Sequence, residues 1–304
     1  MVTLVLSSFS QASLRTAMDV DQDGKADYTI FRPSNNIWYT LRSSGEPVYT
    51  NFGIAGLDHM TPGDFDNDGK GDVAVWRETD GDWFWLNSST GTFRSFHFGS
   101  PGDEPVARDY DGDGKTDLAV VRRQGGKMTW FVLRSTDGGF VQTEFGLATD
   151  FTAPGDYDGD GKFDFTVRRP GTTKTSAATF ISLSSRTGTA VNTVWGQSAD
   201  LAIPGDYDGD GTTDYAVLRE GAALSDNLQW LIRKSTGGSI IEIFGITGAD
   251  LNVQNDYDGD GKTDIAVYRH ADGAFFVKRS LTGAIVPVIW GGANDYPVAS
   301  YDTH

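Results

Sequence analysis

The chain has 304 residues, of which 38% are apolar and 12% aromatic, enough to bury a full core, so global disorder is excluded. It has no cysteine, which excludes a disulfide framework, a thiol nucleophile and a thiolate metal site. Its 25 Lys and Arg face 42 acids, and the resulting charge of −17 repels nucleic acid and anionic lipid.

No stretch approaches the roughly 18 consecutive apolar residues of a membrane-spanning helix. The acids are lopsided, with 36 Asp and 6 Glu. Aspartate is short and turns well, so this ratio points to loops that need carboxylates at set places, and the 38 Gly agree with a turn-rich chain. The first residues, MVTLVLSSFSQASLRTA, carry an apolar run of only about five residues with no Lys or Arg before it, a poor match to a secretory leader. The expectation is a leader already removed, or a piece of a longer protein.

A repeat organises everything that follows. The phrase Asp-x-Asp-x-Asp-Gly-x-x-Asp begins at Asp19, Asp64, Asp109, Asp156, Asp206 and Asp256, at spacings of 45, 45, 47, 50 and 50. An aromatic-Gly pair precedes each later copy, from Phe52-Gly53 to Phe244-Gly245, and Trp290-Gly291 ends the series. An Asp stands six residues before each of the last five loops (Asp58, Asp103, Asp150, Asp200, Asp250), and Asp295 continues that series. Tyr301 stands where a seventh loop would begin.

Each unit reads as four short strands. Segments such as Asp-Leu-Ala-Val-Val-Arg at 117–122 follow the loop and are apolar on both faces, so both faces should be covered. The second residue after the loop is always small: Thr29, Ala74, Ala119, Thr166, Ala216 or Ala266. A strand such as 130–133 comes next, a third ends at the aromatic-Gly pair, and a fourth, such as 151–155, leads into the next loop. No segment reads as a helix. Four strands in 40–50 residues predict an all-β fold, a β-propeller of four-stranded antiparallel blades. One domain over 1–304 is expected, with units starting near 14, 59, 104, 151, 201 and 251 and a partial strand at 296–301. Six blades are expected. The alternative is a seventh, reduced blade built from Val2–Phe9 as outermost strand and Tyr296–Tyr301 as innermost.

The loop is a metal site by its chemistry. Carboxylates at positions 1, 3, 5 and 9 can converge on one hard cation, Gly at position 6 permits the sharp turn, and position 7 can offer a carbonyl. The candidate ligands are Asp19, Asp21, Asp23, Lys25 and Asp27; Asp64, Asp66, Asp68, Lys70 and Asp72; and Asp109, Asp111, Asp113, Lys115 and Asp117. The remaining loops supply Asp156, Asp158, Asp160, Lys162 and Asp164; Asp206, Asp208, Asp210, Thr212 and Asp214; and Asp256, Asp258, Asp260, Lys262 and Asp264. Oxygen-only donors at this density favour Ca²⁺ over Mg²⁺. An EF-hand or dockerin loop would need an acid at position 12, where this chain has Ile30, Val75, Val120, Val167, Val217 and Val267. The competing reading, metal-free Asp-Gly turns, leaves four carboxylates to repel one another in every loop. The loops hold 24 of the 42 acids, and six Ca²⁺ would bring the charge from −17 to −5.

These residues resemble the FG-GAP or VCBS-type repeats of integrin-α-like propellers. Phe145-Gly146 and Ala153-Pro154-Gly155 resemble the two signatures of that family, and Asp156 to Asp164 its calcium loop. The resemblance covers 19 to about 300. It implies that the loop joins the innermost strand of a blade to the second, with Ca²⁺ rigidifying it, and it implies activity only weakly. Ala17-Met18, Ala107-Arg108 and Gln254-Asn255 replace Pro-Gly before three loops, which puts the strand turn in question there but not the carboxylates.

Other chemistry is sparse. His59, His97, His270 and His304 form no metal or catalytic motif, and Glu78, Asp80, Asp82 and Glu220 are the acids outside the loops considered for glycoside hydrolysis. Arg32, Arg77, Arg122, Arg169, Arg219 and Arg269 recur at position 14, either as a polyanion site or, the favoured reading, as local ties to a neighbouring turn or acid. The recurring aromatics Trp38, Trp83, Trp130, Phe180, Trp230 and Phe275 read as core ahead of a sugar platform. Units four and five carry longer hairpins, Pro170–Ala178 and Glu220–Leu228, read as loop drift ahead of a ligand site. The expected function is a secreted or cell-surface binding or adhesion module with about six structural Ca²⁺, not an enzyme. Its partner is an extracellular protein or glycan, with no nucleic acid. The alternatives are a lectin of the same fold and, third, a polysaccharide-acting enzyme.

Overall fold

The computed structural model describes residues 16–299. They form six four-stranded antiparallel sheets in a ring, a six-bladed β-propeller, and among the described residues the only helical turn is a 3-10 turn at Thr16–Met18. From axis to rim, blade two is Asp58–Met60, Val73–Arg77, Asp82–Leu86 and Phe93–His97. Blade four is Phe151–Thr152, Phe165–Arg169, Ala177–Leu183 and Ala190–Gln197, and the other blades repeat this order. In blades two to six the Asp-rich loop joins the innermost strand to the second, as the resemblance implied; in blade one it only leads into the second strand.

Blade one departs from the chain-order pattern. Its innermost strand is Tyr296–Val298, which pairs antiparallel with Tyr28–Arg32, followed outward by Ile37–Leu41 and Pro47–Asn51. The end of the chain therefore closes the ring inside the first blade. A seventh blade built from both termini is thus ruled out for Tyr296–Val298, and the innermost strand of the first unit comes from the end of the chain, not from near residue 14. Val2–Phe9 and Tyr301 lie outside the described residues.

The strand chemistry explains the packing. Second strands are buried on both faces because sheets stack around the axis, so their apolar runs find cover on each side. The small residue at position 11 is 0–2% exposed in all six blades, where the next sheet comes closest. The six recurring aromatics of the third strands are likewise 0–2% exposed, so they are core. Four of them also explain the aromatic-Gly pair. The indole N–H groups of Trp38, Trp83, Trp130 and Trp230 donate to the carbonyls of Phe52, Phe98, Phe145 and Phe244 at 2.8–3.0 Å. A large apolar ring is thereby buried with its one polar atom satisfied.

Candidate metal centres and their clamps

In the fourth loop, Asp156 organises the turn. Its Oδ1 accepts the N–H groups of Gly159 and Asp160 at 2.7 and 3.1 Å, and its Oδ2 that of Gly161 at 2.9 Å. Positions 4 and 6 are left-handed, with φ of 68° at Gly159 and 85° at Gly161, so glycine avoids strain there. Where position 4 is not glycine it is Gln22 or Asn67, still at φ 66° and 62°. Asp160 accepts the Lys162 N–H at 3.0 Å, and Asp164 accepts those of Tyr157 and Ser185 at 2.9 and 2.7 Å. The other loops repeat this pattern.

The loops bring carboxylates together as the spacing predicts. Oxygens of positions 1, 3 and 9 lie within 4.8 Å of one another in Asp19/Asp21/Asp27, Asp64/Asp66/Asp72, Asp109/Asp111/Asp117 and Asp156/Asp158/Asp164; in the fifth loop the trio is Asp206/Asp208/Asp210. Such a trio can hold a cation. The position-3 aspartate adds a chemical reason to look for a cation here. In Asp21, Asp66, Asp111, Asp158, Asp208 and Asp258 alike, Oδ1 is buried with no hydrogen-bond partner. A buried carboxylate oxygen without a donor is costly, and a hard cation is the partner that fits it.

Burial acts on the same groups. Without a cation, desolvation pushes Asp27, Asp72, Asp117 and Asp214 up to about 7. It pushes Asp109, Asp164 and Asp264 up to about 6, with neighbouring carboxylates adding to the effect.

A serine missed at the sequence level completes each site. The hairpin between third and outer strands reaches the loop of its own blade, and its Ser43, Ser88, Ser135, Ser185, Ser235 or Ser280 N–H donates to the position-9 carboxylate at 2.6–2.8 Å. Five of the hydroxyls also donate to the position-5 carboxylate. The signal was present as one serine per unit, 16–21 residues past the last loop Asp.

The loops also join one another. In every blade the position-8 N–H donates to the position-1 carbonyl of the preceding loop: Gly71 to Asp19, Thr116 to Asp64, Phe163 to Asp109, Thr213 to Asp156, Thr263 to Asp206, and Ala26 to Asp256, at 2.6–2.9 Å. The last bond closes the circle. Side chains reinforce it, since a Cβ on Gly112, Gly159, Gly209 or Gly259 would meet the position-7 side chain of the next loop at 2.9–3.0 Å.

The position-14 arginines are ties. Arg77, Arg122, Arg169, Arg219 and Arg269 grip Asp58, Asp103, Asp150, Asp200 and Asp250 through Nε and Nη2 at 2.6–3.0 Å. Arg32 grips Asp295 in the same way at 2.8 Å, across 263 positions of sequence. These carboxylates are 0–3% exposed and need the guanidinium forks. The polyanion reading is therefore displaced by local pairing.

Other expectations resolve simply. The bridges Arg108↔Asp117 and Asn255↔Asp264 match Gly63↔Asp72, so losing Pro-Gly does not disturb the strand turn. The long hairpins fold onto the crossovers of their own blades, through Ser198 N–H to the Ser176 carbonyl at 2.9 Å and Thr247 N–H to that of Asp226 at 2.8 Å. His59 lies 3.5 Å from Glu78, and His97 lies 2.7 Å from Asp82. His304 lies outside the described residues.

Fold and loops together define a propeller whose inner hairpins are carboxylate cradles. The family model of the FG-GAP-like repeat matches residues 19–75 and 109–167, so these two segments are similar to FG-GAP-like repeats. No curated protein sequence matches it. Among solved structures, a variant of AofleA from Arthrobotrys oligospora is similar in fold, with TM-score 0.54 and 10% identity over 86% of this chain and 79% of that one. Virginiamycin B lyase from Staphylococcus aureus gives TM-score 0.47 and 12% identity over 90% and 86%. A propeller with segments similar to FG-GAP repeats suggests a binding module, and no helix among the described residues is long and apolar enough to cross a membrane.

Proposed function

We propose that this chain is a calcium-stabilised binding or adhesion module working outside the cytoplasm or at the cell surface, with one structural Ca²⁺ in each of its six loops. The observation that carries this reading is the position-3 oxygen, buried without a hydrogen-bond donor in all six loops. Positions 1, 3, 5 and 9 with the position-7 carbonyl supply the donors, and the ion supplies positive charge that holds the cradle shut. Extracellular modules of this kind bind Ca²⁺ at roughly 10⁻⁴–10⁻³ M, concentrations that cytosol does not provide. A protein or glycan ligand is the expected partner. A sugar platform on the recurring strand aromatics lacks support, because those rings are in the core.

Metal analysis of exhaustively loaded protein tests the reading. Six ions per chain are expected, one per loop, and two or fewer would sink it. The variant Asp111→Asn removes the charge beside one orphan oxygen. It is expected to delete one ion and lower the melting temperature by roughly 5 °C, one site being worth about 2.7 kcal/mol at 100 times its dissociation constant. An unchanged ion count would count against Asp111 as a ligand.

Proton competition gives an independent check. The position-9 acids pushed up to about 6 or 7 sit above their ordinary 3.8, so the empty fold is penalised where they are charged. That penalty is full above about pH 7 and fades as pH falls toward the unfolded value. Metal-free protein is therefore expected to melt higher at about pH 5 than at about pH 7.5, and calcium-loaded protein the reverse. Melting curves with parallel pH dependence in both states would contradict this.

A further inference from the structure

A cavity of about 590 Å³ lies on the axis at the end opposite the metal loops, walled by the innermost strands. One residue of its lining, Arg168, departs from the repeat at a buried position. Position 13 of the unit is Phe31, Trp76, Val121, Leu218 and Tyr268 in five blades, all buried, and Arg168 in the fourth. Arg168 is 1% exposed, yet among the described residues no carboxylate lies within ion-pair distance of it. It donates to the Gln197 carbonyl, and its Nε has no partner at all. Burial pushes its guanidinium pKa down, with Asp200 the only charge opposing that.

The acids of the lining are already committed. Asp103 is held by Arg122, Asp200 by Arg219 and Glu104 by Arg123, while Glu78 lies beside His59. None is left to neutralise Arg168. A buried cation without a counter-charge is costly, and five blades show that an apolar residue fits the position. The cost is understandable if the counter-charge arrives with a ligand.

We propose that the axial cavity binds a small molecule carrying one carboxylate, with Arg168 as its anchor. The planar fork suits a carboxylate. A phosphate dianion would bring its second charge toward the wall carboxylates Glu78, Asp103, Glu104 and Asp200, while the wall's other guanidinium groups are engaged, Arg123 with Glu104 and Arg108 with the Ala107 carbonyl. Walls of Met60, Pro105, Phe151 and Leu201 give apolar cover to the ligand's body, and about 590 Å³ falls within the usual range for small-ligand sites. The inference deepens the binding-module reading and rests on it.

The test is calorimetric titration of the full chain at saturating Ca²⁺, where loss of the metal scaffold cannot be confused with loss of this site. The probes are D-glucuronate, N-acetylalanine, D-glucose and inorganic phosphate. One or both acids are expected to bind, with D-glucose at least about tenfold weaker than D-glucuronate for want of the charge-assisted bonds. Binding of the sugar acid alone or of the acylated amino acid alone identifies the source and supports the proposal. Arg168→Leu, which installs the residue of blade five, is expected to abolish that binding and to raise the melting temperature. Failure of both acids to bind the wild-type chain overturns the proposal, a comparison that needs no variant. So does equal binding by Arg168→Leu, or binding of phosphate in place of both acids. A lower melting temperature in Arg168→Leu with unchanged titration assigns Arg168 to the scaffold and also overturns it.

Discussion

Chelation of the calcium-loaded protein is expected to lower its melting temperature by roughly 20 °C or more. Each ion that binds only the folded loop stabilises by about 2.7 kcal/mol at 100 times its dissociation constant. Six such sites, adding in part, exceed about 10 kcal/mol, more than many domains possess in total. The structure leaves no substitute staple, because the chain has no cysteine and every loop packs four carboxylates into one turn. Once the ion leaves, those acids must either repel one another or take up protons. Thermal melting with and without chelator measures the effect directly. A melting temperature indifferent to chelator would refute the structural role, whatever the ion count proved to be.

Arg32→Ala is expected to have the largest effect of any single substitution outside the metal loops. It strips the counter-ion from Asp295, whose side chain is 3% exposed, at the one clamp that joins the two ends of the described chain. Leaving a buried carboxylate unpaired costs about 3–5 kcal/mol, or a fall of roughly 6–10 °C in a protein of this size. The loss should appear mainly as faster unfolding, since the closing strand Tyr296–Val298 is short and pairs only with Tyr28–Arg32. Arg32→Lys should recover only part of it, because an ammonium cannot reproduce the two-pronged grip on both oxygens. A change below about 1 °C on Arg32→Ala would show that strand pairing alone closes the ring.

The blades and the cradles were legible because both are local and repeated. Asp-x-Asp-x-Asp-Gly-x-x-Asp states its own geometry through a left-handed turn at position 6 and acids spaced to converge. Repetition turned an ordinary turn motif into a metal hypothesis. The arginines were legible as ties for the same reason, but their partners were not, because nothing local links them to the parallel series of aspartates. Closure was not legible. Val2–Phe9 and Tyr296–Tyr301 are both plausible strands, and nothing local says whether the terminal one joins an existing blade or helps found another. That is decided by the space inside blade one, which Tyr296–Val298 fills. The hairpin serines escaped notice because serine is common in turns and their distance from the loop varies with hairpin length. Arg168 escaped because in sequence it reads as the first of two arginines, Arg168-Arg169, and only burial separates the one that grips Asp150 from the one that faces the axis.

The circle of hydrogen bonds from loop to loop has a consequence in the language of boundary conditions. A linear stack of repeats has two end units, each propped on one side only, and order is lost from those ends inward. Here the bond from Ala26 to the Asp256 carbonyl removes the ends, so each loop has a neighbour before it and a neighbour after it. No cradle is weakened by standing at an end. An ion entering one loop stiffens a carbonyl that the next loop leans on and an amide that the previous loop holds. Occupancy is therefore felt in both directions around the ring, and filling should proceed more steeply with calcium concentration than it would for six unconnected sites.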